Sequence, residues 1–206
     1  PSVALQLTPW LSPAAGARFQ YIDAKLTHAL DFGSILAGLG VPGATPFGSD
    51  GKVELQASDW GYGYAVGALV EPIPGTRVGV SYRSYINQDL TGNADFEGVP
   101  GPLQAVPVFQ DQHANANVST PDSVDLSLYQ EIGERWAVMA DAQWTNWSRF
   151  DELRVKFDDA GVPDSVTKES WHDSWFFALG AEFQPIEPIT FRAGVAYDET
   201  PIQDKH

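Results

Sequence analysis

Residues Thr76 to Leu90 read TRVGVSYRSYINQDL, and the period of that stretch decides the fold. Val78, Val80, Tyr82, Ser84 and Ile86 fall on one face, while Arg77, Gly79, Ser81, Arg83, Tyr85 and Asn87 fall on the other. Successive side chains of a strand point to opposite faces, so a period of two with one apolar side predicts a strand between an apolar and a polar medium. The alternation outlasts the five or six residues typical of soluble sheets.

The same pattern recurs along the chain. Trp136, Val138, Ala140, Ala142 and Trp144 alternate with Ala137, Met139, Asp141, Gln143 and Thr145. Phe191, Ala193, Val195 and Tyr197 alternate with Arg192, Gly194, Ala196 and Asp198, and Trp60 to Val70 alternates with Gly61, Gly63, Ala65, Gly67 and Leu69. Further strands are expected at Ser2–Leu7, Ala14–His28, Ser123–Glu131 and Trp171–Phe183. The connections alternate in length. Short ones around Pro9, Pro74-Gly75, Gly133 and Pro185–Pro188 carry turn residues. Long ones run from about Ala29 to Lys52, Gly92 to Val118 and Asp158 to Thr167. Short turns at one end and long loops at the other are how outer-membrane barrels are built.

Aromatic placement agrees. Trp10, Trp136 and Phe191 lie beside short turns, whereas Tyr21, Tyr64, Trp144, Trp175 and Tyr197 lie toward the long loops. From Trp136 to Trp144 is roughly 26 Å of strand, or about 20 Å of height at a tilt of ~40°, close to the apolar band between two aromatic girdles. The expected fold is all-β, an antiparallel transmembrane β-barrel segment. The residues also leave open a soluble or adhesive β-sheet ligand-binding protein with these rings in its core, and a general porin.

Composition removes other classes. Twelve basic against twenty-seven acidic residues offer no cationic face to phosphates, so no nucleic-acid partner is expected. There is no cysteine, and His28, His113, His172 and His206 show no ligand spacing, so no metal is expected. No nucleophile elbow or phosphate-cradling glycine loop appears, so neither a cofactor nor an enzymatic activity is expected. No apolar run approaches the ~20 residues of a membrane helix.

Several segments, in order along nearly the whole chain, are similar to one family. They are Trp60-Gly61-Tyr62-Gly63-Tyr64; Ser81-Tyr82-Arg83-Ser84; Thr120-Pro121-Asp122; Trp144-Thr145-Asn146-Trp147-Ser148-Arg149-Phe150; Trp171-His172-Asp173-Ser174-Trp175; and Phe191 through Pro201. The chain resembles the FadL-type outer-membrane transporters of long-chain fatty acids and aromatic hydrocarbons. The resemblance implies a fourteen-stranded, monomeric barrel in outer-membrane lipid with a hatch in its lumen. It implies that residues 1–206 are the central part of that one domain, about eight strands, without the hatch, the first strands or the closing strands. It also implies passive uptake of a fatty acid or hydrocarbon through the outer membrane of a Gram-negative cell.

Candidate binding residues follow. Leu36 and Leu39 sit in an apolar stretch of the first long loop, and Val106 and Phe109 in one of the second. Apolar clusters in exposed loops mark binding surfaces, and the family's corresponding loops form the groove where cargo lands; packing of loop on loop is the alternative. Gly61 and Gly63 leave room on the inward face for a ligand, or serve close packing. Arg18, Arg83 and Arg192 face inward with Asp125, Asp141 and Asp198, where ion pairs are expected. Basic residues that meet a carboxylate in the fatty-acid branch fall near His28 and Lys168. Thr167 holds the second position itself, so Lys168 faces inward only if a one-residue bulge turns it.

Overall fold

The computed structural model describes residues 1–158 and 163–202; the tip of the third long loop and residues 203–206 lie outside the described residues. The strands are β1 (Ser2–Ala4), β2 (Leu11–Asp31), β3 (Asp50–Ile73), β4 (Thr76–Arg83), β5 (Ile86–Glu97), β6 (Gln112–Thr120), β7 (Ser123–Ile132), β8 (Trp136–Thr145), β9 (Glu152–Phe157), β10 (Ser165–Lys168), β11 (Ser174–Ile186) and β12 (Ile189–Asp198). One helix, α1 (Phe32–Gly38), follows β2. All strands join one antiparallel sheet. β4 and β5 are two halves of one run, as are β6 and β7, β8 and β9, and β10 and β11, so the chain passes up or down eight times. The long loops are shorter than expected, since strands continue to Asp31 and restart at Asp50, continue to Glu97 and restart at Gln112, and resume at Ser165.

Register fixes the two faces. Along β2 and β3 it is unbroken from Leu11 opposite Val70 to Asp31 opposite Asp50. In the lower part, one face carries Phe19 beside Tyr62 and Tyr21 beside Trp60, with ring centroids 5.8 and 5.2 Å apart. Val66, Val80, Leu126, Ala142, Phe177 and Tyr197 lie on this same face. Trp136 stacks on Phe183 at 4.2 Å near the short turns. Apolar aliphatic residues between two aromatic belts identify the lipid-facing side. Val78, Val80, Tyr82, Val138, Ala140, Ala142, Ala193 and Val195 all lie on it, as the alternation predicts. The inward side carries the charges. Arg83 meets Asp125 at 3.8 Å, Arg192 meets Glu182 at 2.7 Å rather than Asp198, and Arg18 donates to the Ser84 carbonyl at 2.8 Å.

Above the Tyr21–Trp60 level the polarity reverses. The outward face there carries Lys25, Glu54, Lys52 and Glu97, linked by ion pairs, while the inward face carries Ile22, Ala24, Leu26, Val53, Leu55 and Ala57. Here the wall stands in water outside and apolar matter inside. β2 and β3 make the change by shifting the phase of their alternation at Tyr21-Ile22 and between Ala57 and Trp60.

The neighbouring run makes it with a bulge. Ala65 of β3 faces Arg83, and Ser58 faces Thr91, so seven steps along β3 meet eight along its partner. The extra residue falls at Ser84-Tyr85 and turns Ser84 and Ile86 inward. The continuous alternation of Thr76–Leu90 is therefore misread at its upper end. Ile86 does not share the lipid face of Val78; it is 1% exposed, against the inward glycines of β3. Further round, six steps from Ser123 to Asn117 meet nine from Thr145 to Arg154. The three extra residues accommodate a 3-10 turn, Trp147–Arg149. Arg149 stabilises it by donating to the buried Asp122 at 3.1 Å and lying 4.1 Å over the Tyr85 ring.

Candidate functional site

The two apolar loop segments come together. Phe32, Leu36 and Leu103 are buried, with Leu30, Ile35, Val41, Ala44, Val99, Val106 and Phe109 packed round them. Each fully buried side chain of this kind contributes about 1.5–3 kcal/mol relative to exposure, which explains why segments from two loops share one core. Phe109 sets its edge against Phe32 at 5.3 Å. Leu36, at 7% exposure, and the half-buried Val106 and Phe109 are thus structural members of the core. Leu39 alone of the four loop candidates stands in solvent, 67% exposed.

This core continues into the barrel. Phe109 also lies 6.3 Å from Phe96, an inward residue of β5 that packs on Ala94, Ala114 and Val155. On the other side Leu30 joins the loop core two inward positions above Leu26 on β2, with His28 between them. Below them lies a cavity of about 340 Å³ lined by Ile22, Leu26, Leu55, Leu90, Val155 and Phe150, among others. Its walls come from β2, β3, β5, β6 and β9, so it forms only when these runs pair. The sequence reading missed this cavity; the phase shift at Tyr21-Ile22 was the signal for it.

Gly61 and Gly63 do not open space for a ligand. A Cβ on Gly61 would collide with Ile86 and the Gln88 amide; on Gly63 it would lie 2.7 Å from Ser84 Oγ and 2.8 Å from Ile86 Cγ1. The bulged strand fills the space, so these glycines serve close packing, against the neighbouring strand. Gln88, fully buried there, donates to the Gln20 carbonyl at 3.3 Å.

The two charged candidates are not brought together. His28 faces inward and exposed, opposite Val53, above the cavity. Lys168 lies opposite Glu152, and the β9–β10 register runs unbroken from there to Ser165 opposite Val155. No bulge turns it. Thr167 faces inward opposite the cavity residue Leu153, and Lys168 faces out.

A wall that is apolar outside and charged inside between its belts, and apolar inside above them, is the geometry of an outer-membrane barrel. Comparison with known proteins agrees: the profile of the outer membrane protein transport protein family (OMPP1/FadL/TodX) matches residues 1–206. The chain belongs to that family. It is 28% identical over 179 residues to a putative outer membrane protein of Neisseria meningitidis, covering 80% of this chain and 38% of that protein. It is 29% identical over 195 residues to a long-chain fatty acid transport protein of Salmonella typhi, covering 88% and 44%. The chain therefore spans less than half of these relatives. Its fold matches the crystal structure of a Pseudomonas aeruginosa FadL homologue with a TM-score of 0.79 at 23% identity, over 98% of this chain and 49% of that one. It matches the Ralstonia pickettii toluene transporter TbuX with a TM-score of 0.69 at 23% identity, over 96% and 54%. As a family member the chain is a multi-pass β-barrel segment of the outer membrane.

Proposed function

We propose that this segment belongs to a channel for passive uptake of hydrophobic small molecules, long-chain fatty acids or hydrocarbons, across the outer membrane. One observation carries the reading: an apolar surface runs without a break from the loop core, through Phe109 and Phe96, into the inward cavity. A general porin has no use for an apolar inner wall, because water and polar solutes gain nothing from it. Here cargo leaves water at the loops and descends along side chains that do not require it to be hydrated. No drive beyond the concentration gradient is invoked.

The proposal includes three companions to the channel. Lipid surrounds the lower outward face, which is apolar between its belts on every described run and so suits a monomer. Strands outside these residues close the sheet, because the backbone groups of edge strands such as β12 cost several kcal/mol each if left unpaired in lipid. His28, the inward candidate that remains, is the one placed to meet a carboxylate. The test is uptake of radiolabelled oleate and of toluene into vesicles carrying the full-length protein. The expected result is entry of at least one well above protein-free vesicles, unaffected by nucleotide. Entry of neither, with a small sugar admitted freely, would establish the porin instead.

A further inference from the structure

One ring in the cavity wall points against the pattern of its own chain. In β8 the odd-numbered residues up to Thr145 face inward, and in β9 the odd-numbered Leu153 and Val155 do so again. Counted from either strand, Phe150 would face outward near the level of the Trp144 belt, a medium that suits a phenyl ring. It lines the cavity instead. The 3-10 turn Trp147–Arg149 makes the difference: Phe150 follows it, donating its N–H to the Trp147 carbonyl at 2.9 Å. The buried Asp122 holds the turn by accepting from Arg149 Nε at 3.1 Å and from Asn146 Nδ2 at 3.0 Å, and Asp173 accepts the Ser148 N–H at 3.1 Å. The ring itself is held by Trp171, which does not line the cavity. Their centroids lie 5.0 Å apart at 66°, and Trp171 in turn meets Trp147 edge to face at 5.1 Å.

Among the described residues Phe150 is the one ring in the lining; its apolar neighbours there, Ile22, Leu26, Leu55, Leu90 and Val155 among them, are aliphatic. Aliphatic walls attract cargo by contact area and dispersion, which a saturated and an unsaturated ring of equal size share almost equally. A phenyl ring adds a quadrupole, so it attracts a second aromatic ring beyond the area the two bury. Discrimination between such cargoes therefore falls to Phe150.

We propose that Phe150 is the specificity-determining residue of this cavity, favouring an aromatic cargo over a saturated one of the same size, and that Trp171 is a positioning residue which acts by holding its ring. The inference rests on the proposed uptake of hydrophobic molecules and deepens it by naming the cargo that the cavity prefers.

The experiment uses full-length protein in nanodiscs, with empty nanodiscs as the blank. Toluene and methylcyclohexane are the probes, alike in size and different in their π-system, and oleate is the third. Equilibrium dialysis gives the ratio of toluene to methylcyclohexane affinity. Phe150→Leu keeps an apolar side chain and removes the ring, so this ratio should fall about two- to ten-fold while methylcyclohexane binding stays within about two-fold of wild type. Phe150→Ile, measured alongside, serves if Phe150→Leu does not fold. Phe150→Trp keeps a ring and should keep the preference. Trp171→Leu, outside the lining, should lower the ratio in the same direction as Phe150→Leu. An unchanged ratio in a folded variant without the ring would overturn the inference, as would equal weakening of both probes, the mark of a packing role. A wild-type ratio in Trp171→Leu would overturn its positioning role. Wild-type protein that binds oleate but neither probe would overturn the inference and leave the uptake proposal standing; binding of none of the three would overturn the uptake proposal itself.

Discussion

Replacing Ala140 by arginine tests the assignment of faces on which the rest depends. Ala140 is the middle residue between Trp136 and Trp144, four residues from either belt, about 10 Å of height at a tilt of ~40°. It faces Leu128 on one neighbouring strand and Leu179 on the other, both on the lipid side. An arginine there has no polar group beside it and must stretch toward a belt to hydrate its charge. A cationic side chain on the lipid face costs about 2–4 kcal/mol at the midplane and about 0–1 kcal/mol near the interfaces. Ala140→Arg should therefore destabilise by roughly 2–4 kcal/mol, and Val138→Arg, two residues nearer the Trp136–Phe183 belt, by less. Met139→Arg is the control. It points inward between Tyr129 and Gly180, onto the side that already carries Asp125 and Asp141, and should cost below about 1 kcal/mol, as for a solvated position. The assay is reversible denaturant unfolding of the full-length protein in lipid vesicles, read by tryptophan fluorescence. An Ala140→Arg penalty no larger than that of Met139→Arg would refute the assignment of faces.

Gly61→Ala should destabilise by about 1–3 kcal/mol, since its Cβ meets Ile86 and Gln88; the same assay checks it, with partial rescue expected from Ile86→Ala. Leu36→Asp places a carboxylate in the loop core, so limited proteolysis should cleave the 32–49 loop while the barrel transition stays put. Leu39→Asp should leave the loop protected. Binding titrations should show that Lys168→Ala keeps oleate affinity within about two-fold of wild type. His28→Ala alone should weaken oleate binding and leave toluene binding level. Equal loss in Lys168→Ala would contradict its outward register. The turn at Phe47 should stay protected from proteolysis down to about pH 5, because the Ser34 hydroxyl and N–H, then the Phe47 and Gly33 N–H groups, hold the Asp31 carboxyl below its ordinary range. A lowered carboxyl pKa stabilises the turn at neutral pH, and that stabilisation is lost only as pH falls through the lowered value.

The lower wall was legible because lipid imposes one rule on every strand there: apolar out, and anything else in. The period of two survives in the linear sequence, and the belts mark its ends. The upper wall obeys the inverse rule, and that is where reading failed. In Thr76–Leu90 the apolar positions stay even-numbered throughout, since the bulge at Ser84-Tyr85 turns the chain by one face at the height where the apolar medium changes from lipid to lumen. Two reversals cancel, and the pattern looks like one uninterrupted strand. β2 has no bulge, so its pattern must slip, from Phe19 and Tyr21 to Ile22, Ala24 and Leu26. A slip of phase without a turn residue is thus the sequence mark of a strand leaving the membrane while its barrel continues. It would have located the cavity. The loop candidates were legible as apolar stretches, but only the fold shows that Leu36 and Phe109, from two different loops, join one core. Thr45-Pro46-Phe47-Gly48 has turn residues visible in the sequence, but the left-handed backbone at Phe47 depends on the Asp31 carboxylate, which only the fold brings to it.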